Sequence, residues 1–369
     1  MDGTFAFVAL LARHPVGLAS LGAARGLAAQ GLRHDLADLA GTGEVAGLLY
    51  QALRSARPAF EVAPGTMDAL RETYIAVAAD NLRRMGAVGE VLSAYAARGV
   101  DVALLKGTRL LASHYGDPGL RPMRDADLLV RAHALPDAEA ALMALGYHRR
   151  GTPGRERSEA RYYQRAYLRP LPPSAAGRPR FERVEVHTSL CDERRYPVDA
   201  NALWANARAV TVDGHPILAL DDAAHLAYVA LHVALHAFDV PLSRLVDVAT
   251  ILHRTPALAP LAAEYAVRWR AAAAVKHVFA LAHTLSGAPI DDDTWRLLRV
   301  PTLRALAVRA LLRDDAIPSL RWALPFRVAQ AATLWPLVDE GHAGYLAHYA
   351  RLRARDAADV VFARLRRLW

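Results

Sequence analysis

The most informative run in this 369-residue chain is Arg121-Pro122-Met123-Arg124-Asp125-Ala126-Asp127-Leu128-Leu129-Val130. Its second half reads as a strand, and in a strand residues two apart share a face. Asp125 and Asp127 then project together, with Ala126 and Leu128 turned to the other side. Two carboxylates that close repel each other and take up protons unless a cation neutralises them. The matching occupant is a hard divalent ion that prefers oxygen ligands, Mg²⁺ or else Mn²⁺. The same pair also suits an exposed strand edge whose charges are matched by Arg121 or Arg124, and these residues do not choose between the two.

A second strand candidate, Phe181-Glu182-Arg183-Val184-Glu185-Val186-His187, alternates valines with Arg183, Glu185 and His187. The valines are expected on the buried face. Glu185 supplies a third carboxylate if this strand pairs with the aspartate strand. Three carboxylates on adjacent strands can hold two metal ions that clamp the attacking and leaving oxygens of a phosphoryl displacement. Upstream, the β-rich run VDVALL enters Lys106-Gly107-Thr108 and then a helix-like stretch. Backbone N–H groups at such a helix start form an anion site. Gly107 allows close approach of a phosphate, Thr108 offers a hydroxyl and Lys106 adds a point charge. Strand–glycine–helix turns are common, so the order of the parts carries the weight.

Three regions must position these residues. Residues 1–95 are rich in Ala, Leu and Arg with apolar positions at helical spacing. Residues 96–220 mix strands and helices, including a helix from about Leu135 to Leu145 closed by Gly146. Strands in ARYYQRAYL and FERVEVHTSL flank the loop RPLPPSAAGRPR, residues 169–180, which is expected to be a functional excursion rather than a tight hairpin. Residues 221–369 are helical again, punctuated by Pro256, Pro260, Pro289, Pro301 and Pro318. The expected class is α+β: a mixed β-sheet core flanked by N-terminal helices and a C-terminal helical domain.

Taken together, LLKGTRLL, RPMRDADLLV, ALGY and VEVHTSL resemble the bacterial group known as the uncharacterised nucleotidyltransferase family, within the superfamily of DNA polymerase beta. The resemblance spans residues 75–255 and includes Asn81 on the helix before the strand. It also includes a histidine-bearing helix with His232 and His236, and a following one with Asp247. It implies that Asp125 and Asp127 bind metal and that Glu185 completes the metal site. By the same resemblance Gly107 and Thr108 hold a triphosphate, and Lys106 and Arg121 contact phosphate. The implied activity moves an NMP from an NTP, ATP foremost, to a hydroxyl of a small-molecule, peptide or protein acceptor, releasing pyrophosphate. Thr108 stands where many members have Ser or Gly, and Glu185 where Asp is more frequent; both changes keep the functional group.

The charge pattern sets the rival readings. Forty-five basic residues against thirty-seven acidic ones give a net charge of +8, and all the basic residues but Lys106 and Lys276 are arginine. Ten arginines lie between Arg149 and Arg183 and six between Arg351 and Trp369. That surplus motivates an RNA-directed transferase or RNA-binding protein, although no aromatic-rich sheet signature accompanies it. A non-catalytic, antitoxin-like interaction module is the other rival, and the joint presence of Asp125, Asp127 and Glu185 counts against it. His232 and His236 share a helix face and suit the cleft better than a zinc site, even with Asp239 or Asp247 added. Cys191, the single cysteine, excludes an intrachain disulfide framework. No run approaches the ~20 apolar residues of a membrane span, and the expected location is cytoplasmic.

Overall fold

The computed structural model describes residues 3–12, 18–28, 36–56, 60–150, 163–173, 177–193, 195–236 and 240–301. Much of the arginine-rich stretch after Arg149, the middle of the proline loop, Asp239 and the arginine-rich tail lie outside the described residues. The N-terminal part is helical: α1 (Gly3–Leu11), α2 (Leu18–Ala28), α3 (Leu36–Thr42), α4 (Ala46–Ser55) and the long α5 (Thr66–Ala96). Helix α5 is built mainly from good helix formers and stops before Gly99, whose φ of +65° suits a residue without a Cβ.

A five-stranded sheet follows, in the order β1-β2-β5-β4-β3. Its strands are β1 (Val102–Leu104), β2 (Ala126–Val130), β3 (His148–Arg149), β4 (Gln164–Leu171) and β5 (Arg180–His187). Only the β2–β5 pair is parallel among the described strands; the other neighbours are antiparallel. Between β1 and β2 lies α6 (Lys106–Leu110), which runs into a π-helical turn over Leu111–Tyr115. Helix α7 (Leu135–Ala144) crosses over between β2 and β3.

Period-two alternation decides what each sheet face meets. Val102, Leu104, Ala126, Leu128, Val130, Val184 and Val186 pack with Val91 and Tyr95 of α5 and Leu142 of α7 in one apolar cluster. Ala103 and Leu129 point the other way, into a larger cluster shared with the N-terminal and C-terminal helices. The valines of β5 are buried as expected. The opposite face is buried too: Glu185 is 7% and His187 0% exposed, because helices from later in the chain cover it.

The proline loop is shorter than expected. β4 continues through Arg169-Pro170-Leu171, and Leu171 pairs with Arg180, so the connection between the two antiparallel strands is residues 172–179, of which 174–176 lie outside the described residues. Pro170 survives in the strand because ladder pairing leaves room where its missing N–H is not needed. A second hairpin, β6 (Arg208–Val212) with β7 (His215–Ala219), follows α8 (Ala200–Ala205). It turns on Asp213 and Gly214, both at positive φ. The helical wall then comprises α9 (Asp222–Leu235), α10 (Ser243–Arg254), α11 (Leu258–Arg268), α12 (Ala272–Ser286) and α13 (Asp292–Leu297). Asp221 caps α9, its carboxylate accepting from the N–H groups of Ala223 and Ala224 at 3.0 Å each. None of the described helices is long and apolar enough to cross a membrane.

Candidate active site

β2 and β5 lie side by side with Asp127 directly opposite Glu185. Asp125 sits just before the first residue of β2. On the other flank, β1 runs through Leu105 into Lys106, whose backbone adopts φ +44°. A non-glycine residue rarely enters that region, and it does so where surrounding structure over-determines it. Here the Leu105 N–H donates to the Asp127 carbonyl at 3.0 Å. The Asp127 N–H donates to Thr108 Oγ1, also at 3.0 Å. The backbone of Asp127 is thus held by both ends of the β1–α6 turn.

The side chain of Asp127 is held as firmly. Lys106 Nζ donates to its Oδ1 at 2.7 Å, and His187 Nε2 lies 2.9 Å from the same oxygen. A carboxylate only accepts, so Nε2 carries the proton. His187 also lies 3.8 Å from Glu185 Oε2. Arg183 donates to Glu185 and comes within 3.7 Å of Asp125 Oδ2. The alternation of β5 thereby delivers Arg183, Glu185 and His187 to one patch.

The two aspartates titrate in opposite directions. Burial, reinforced by the charges of Asp127 and Glu185, pushes Asp125 up to about 7. Burial also works against the Asp127 carboxylate, but the Lys106 ammonium and the His187 hydrogen bond outweigh it and hold the group well below the usual range. Lys106 is raised despite its burial, because Asp127 and Glu185 stabilise its charge. His187 is lowered, first by burial and then by Lys106. One lysine therefore neutralises one aspartate and leaves the other to share the excess negative charge.

A cleft of about 500 Å³ opens in front of these groups. Lys106, Gly107, Asp125, Asp127 and Glu185 form one side; His232 and His236 of α9, with Arg244 and Asp247 of α10, form the other. His232 Nε2 lies 3.1 Å from His236 Nε2, so the two histidines bond to each other across one helical turn. Burial, with Lys106 and His236 adding to it, lowers His232 well below the ordinary histidine value.

Three residues expected to contact phosphate have contacts within the protein, and two of them, Gly107 and Arg121, also line the cleft. Arg121 is 2% exposed and donates from Nε to Asp247 Oδ1 at 2.9 Å, from Nη2 to Oδ2 at 2.8 Å and from Nη1 to the Pro122 carbonyl at 3.1 Å. These donors serve Asp247 of α10 and the Pro122 carbonyl. Gly107 does permit a close approach, but the group that approaches is the Arg121 guanidinium, which a Cβ would overlap. Thr108 is fully buried, and its hydroxyl serves the Asp127 backbone. His187 likewise stands behind Asp127 instead of lining the cleft.

Asp127, Glu185 and His187 each offer a donor atom, and these atoms lie within 4.8 Å of one another. The two carboxylates suit a divalent cation, while His187 Nε2, protonated toward Asp127, orients that ligand; Asp125 is adjacent but outside that group. Cys191 is buried, its thiol pushed up by burial and donating to the Tyr196 carbonyl at 3.5 Å. Arg195 and Arg244 line the cleft without having been legible beforehand; neither sits at a recognisable spacing from the acids.

Residues 33–287 match the model of a family described as uncharacterised nucleotidyltransferase. Among solved structures, the chain is similar to an antigenic nucleotidyltransferase-like protein from Paracoccidioides brasiliensis. That match has 14% identity and a TM-score of 0.35, covering 58% of this chain and 96% of that one. It is also similar to the antibiotic-resistance factor ANT(2'')-Ia, at 15% identity and a TM-score of 0.33, covering 55% of this chain and 99% of that one. No curated protein matches the chain.

Proposed function

Because the chain belongs to the uncharacterised nucleotidyltransferase family, and is by that membership an enzyme of nucleotidyl transfer, we propose that it moves an NMP from an NTP to an acceptor hydroxyl at the Asp125–Asp127–Glu185 cluster. ATP is the favoured donor, and the acceptor is a small molecule, peptide or protein side chain. The carrying observation is the register that sets Asp127 against Glu185 at the mouth of the cleft.

Mg²⁺ held by Asp125, Asp127 and Glu185 would supply charge neutralisation at the phosphates and lower the proton affinity of the attacking oxygen. His187 orients Asp127 through its Nε2 hydrogen bond and is not itself needed as a ligand. Thr108 fixes the Asp127 backbone, and Lys106 keeps that carboxylate ionised. The acceptor oxygen attacks the α-phosphorus and forms a new P–O bond. The bond from the α-phosphorus to the bridging oxygen breaks, and pyrophosphate leaves with the electron pair. Glu185 accepts the hydroxyl proton. Residues 96–220 would form the catalytic unit, and α9 and α10 of the expected C-terminal domain, residues 221–369, would cover it.

Calorimetry of each NTP with and without Mg²⁺ tests this. The wild type is expected to bind one NTP in a metal-dependent way, and Asp125→Ala/Asp127→Ala to lose that binding. Metal-independent binding, or retention in the double variant, would remove the carboxylates from the chemistry.

A further inference from the structure

The cations around the cleft differ in how much of their hydrogen-bonding capacity is already used. Lys106 is bonded to Asp127, Arg183 to Glu185, and Arg121 to Asp247 and Pro122. Arg195 stacks over Tyr196, 5.2 Å from the ring centre. Arg244 stands apart. Its Nη1 is 3.9 Å from Asp247 Oδ2 and its Nη2 is 4.0 Å from Glu44 Oε2, both too far for a hydrogen bond. The guanidinium makes no hydrogen bond to any described residue.

Those two carboxylates have closer partners. Asp247 accepts from Arg121 and, at 2.7 Å, from the Tyr115 hydroxyl. Glu44 accepts from Ser243 Oγ at 3.1 Å and pairs with Arg124. Arg244 thus keeps its fork of donors free while its side chain is only 20% exposed. It is also well anchored. The Ser243 N–H at the start of α10 donates to the Gly43 carbonyl at 2.9 Å, and Ser243 Oγ holds Glu44.

An unbroken row of contacts leads from the acids to this side chain: Asp127 to Lys106, on to Gly107, Arg121 over Gly107, Asp247 against Arg121, and Arg244 beside Asp247. A phosphate chain whose reacting end lies at the carboxylates would run along that row. It would find the Arg121 donors already committed, and the Thr108 hydroxyl fully buried and accepting from the Asp127 N–H. A planar guanidinium with unspent N–H groups matches phosphate oxygens bidentately.

We infer that Arg244 receives the polyphosphate tail of the nucleotide, an inference that rests on the nucleotidyl-transfer reading of the same cleft. It assigns the leaving pyrophosphate to a residue of the helical wall and not to the turn after β1.

The test is calorimetry on the full chain with the four Mg·NTPs, the monophosphate of the tightest one, and magnesium tripolyphosphate as a base-independent probe. The proteins are wild type, Arg244→Gln, Arg244→Lys and Asp125→Ala/Asp127→Ala. In Arg244→Gln the tightest NTP and tripolyphosphate are expected to weaken at least tenfold, and the monophosphate less than twofold. Arg244→Lys keeps the charge but not the fork, and is expected to lose several-fold; it decides the matter if the glutamine variant fails to unfold cooperatively. NTP binding within twofold of wild type in both Arg244 variants, together with loss in the carboxylate variant, would overturn the role of Arg244 and leave the proposed function standing. Equal weakening of NTP and monophosphate would also overturn it, as collapse of the wall. Failure of the wild type to bind any NTP would overturn both readings.

Discussion

The ammonium of Lys106 reaches Asp127 on the neighbouring strand β2 from a backbone that turns through φ +44° just after β1. Two buried opposite charges at 2.7 Å depend on each other. Removing one leaves the other uncompensated, a loss of about 3–5 kcal/mol in such settings. Lys106→Met and Asp127→Asn are therefore each expected to destabilise strongly, and the double variant by clearly less than the sum. A urea-unfolding cycle reads that coupling, and additive losses would show that the pair is not a unit. Gly107→Ala acts on a different contact. Its methyl group would push Arg121 off Asp247, at a cost of about 2–3 kcal/mol and with loss of transfer activity. Much of this residue level was open to reading in advance. Alternation puts Asp125 and Asp127 on one side of their segment and Glu185 on one side of β5, and the parallel pairing of β2 with β5, which the sequence left as a condition, brings the two sides together. The partner of Arg121 was not, because Asp247 lies 126 positions away and nothing local marks it as the recipient.

Helix α5 illustrates how an element aims a loop. Asn81, 1% exposed, donates to the carbonyls of Pro118 and Arg121 at 2.7 Å each and accepts the Met123 N–H at 3.0 Å. One amide thus pins the segment that leads into β2. Asn81→Ala would strand three backbone groups, each worth about 1–3 kcal/mol when buried unpaired. The expected outcome is a loss of about 3 kcal/mol or more, seen as a lower urea midpoint, with transfer activity down at least tenfold. An unchanged midpoint would mean that the loop holds itself. The principal strands and helices such as α4 and α10 carry clear periodicity, and the long α5 reads as helix from its composition, so their existence was legible. The β6–β7 hairpin also left a signal, Asp213-Gly214 between two β-rich runs, which is a standard type I′ turn pair. β3 left none: two residues give no period, and only pairing with β4 defines it.

At the scale of the whole molecule, buried histidines set the response to acid. Burial, with Arg109 nearby, lowers His114 to about 4, and His225 is lowered well below its ordinary value for the same reasons. The buried His187 and the half-buried His232 are depressed as well. A histidine whose folded value lies below the unfolded ~6.5 leaves the unfolded chain binding more protons, so stability present above 6.5 is lost as pH falls toward 4. Asp125, raised to about 7, opposes this over part of the same range. Four imidazoles outweigh one carboxyl. The chain is expected to lose about 2 kcal/mol or more between pH 7 and 4.5, measured by urea unfolding at fixed ionic strength. A flat or rising profile across that window would contradict the neutral, buried state of these rings.

The parallel pairing of β2 with β5 has a consequence in time. Adjacent parallel strands need a long crossover, and here α7, β3 and β4 all intervene before β5 arrives. The Arg121–Asp247 bond spans 126 positions and the Ser243–Glu44 bond 199. Contacts this distant pay loop-closure entropy before they return anything, and they form late. As the chain is synthesised, all three acids and Lys106 are present once His187 has been made, yet α9 and α10 do not exist. For that interval the acids line an uncovered face of the sheet. The molecule acquires its charges early and its enclosure last, so a ligand that needs both walls has nothing to bind until residue 254 has been added.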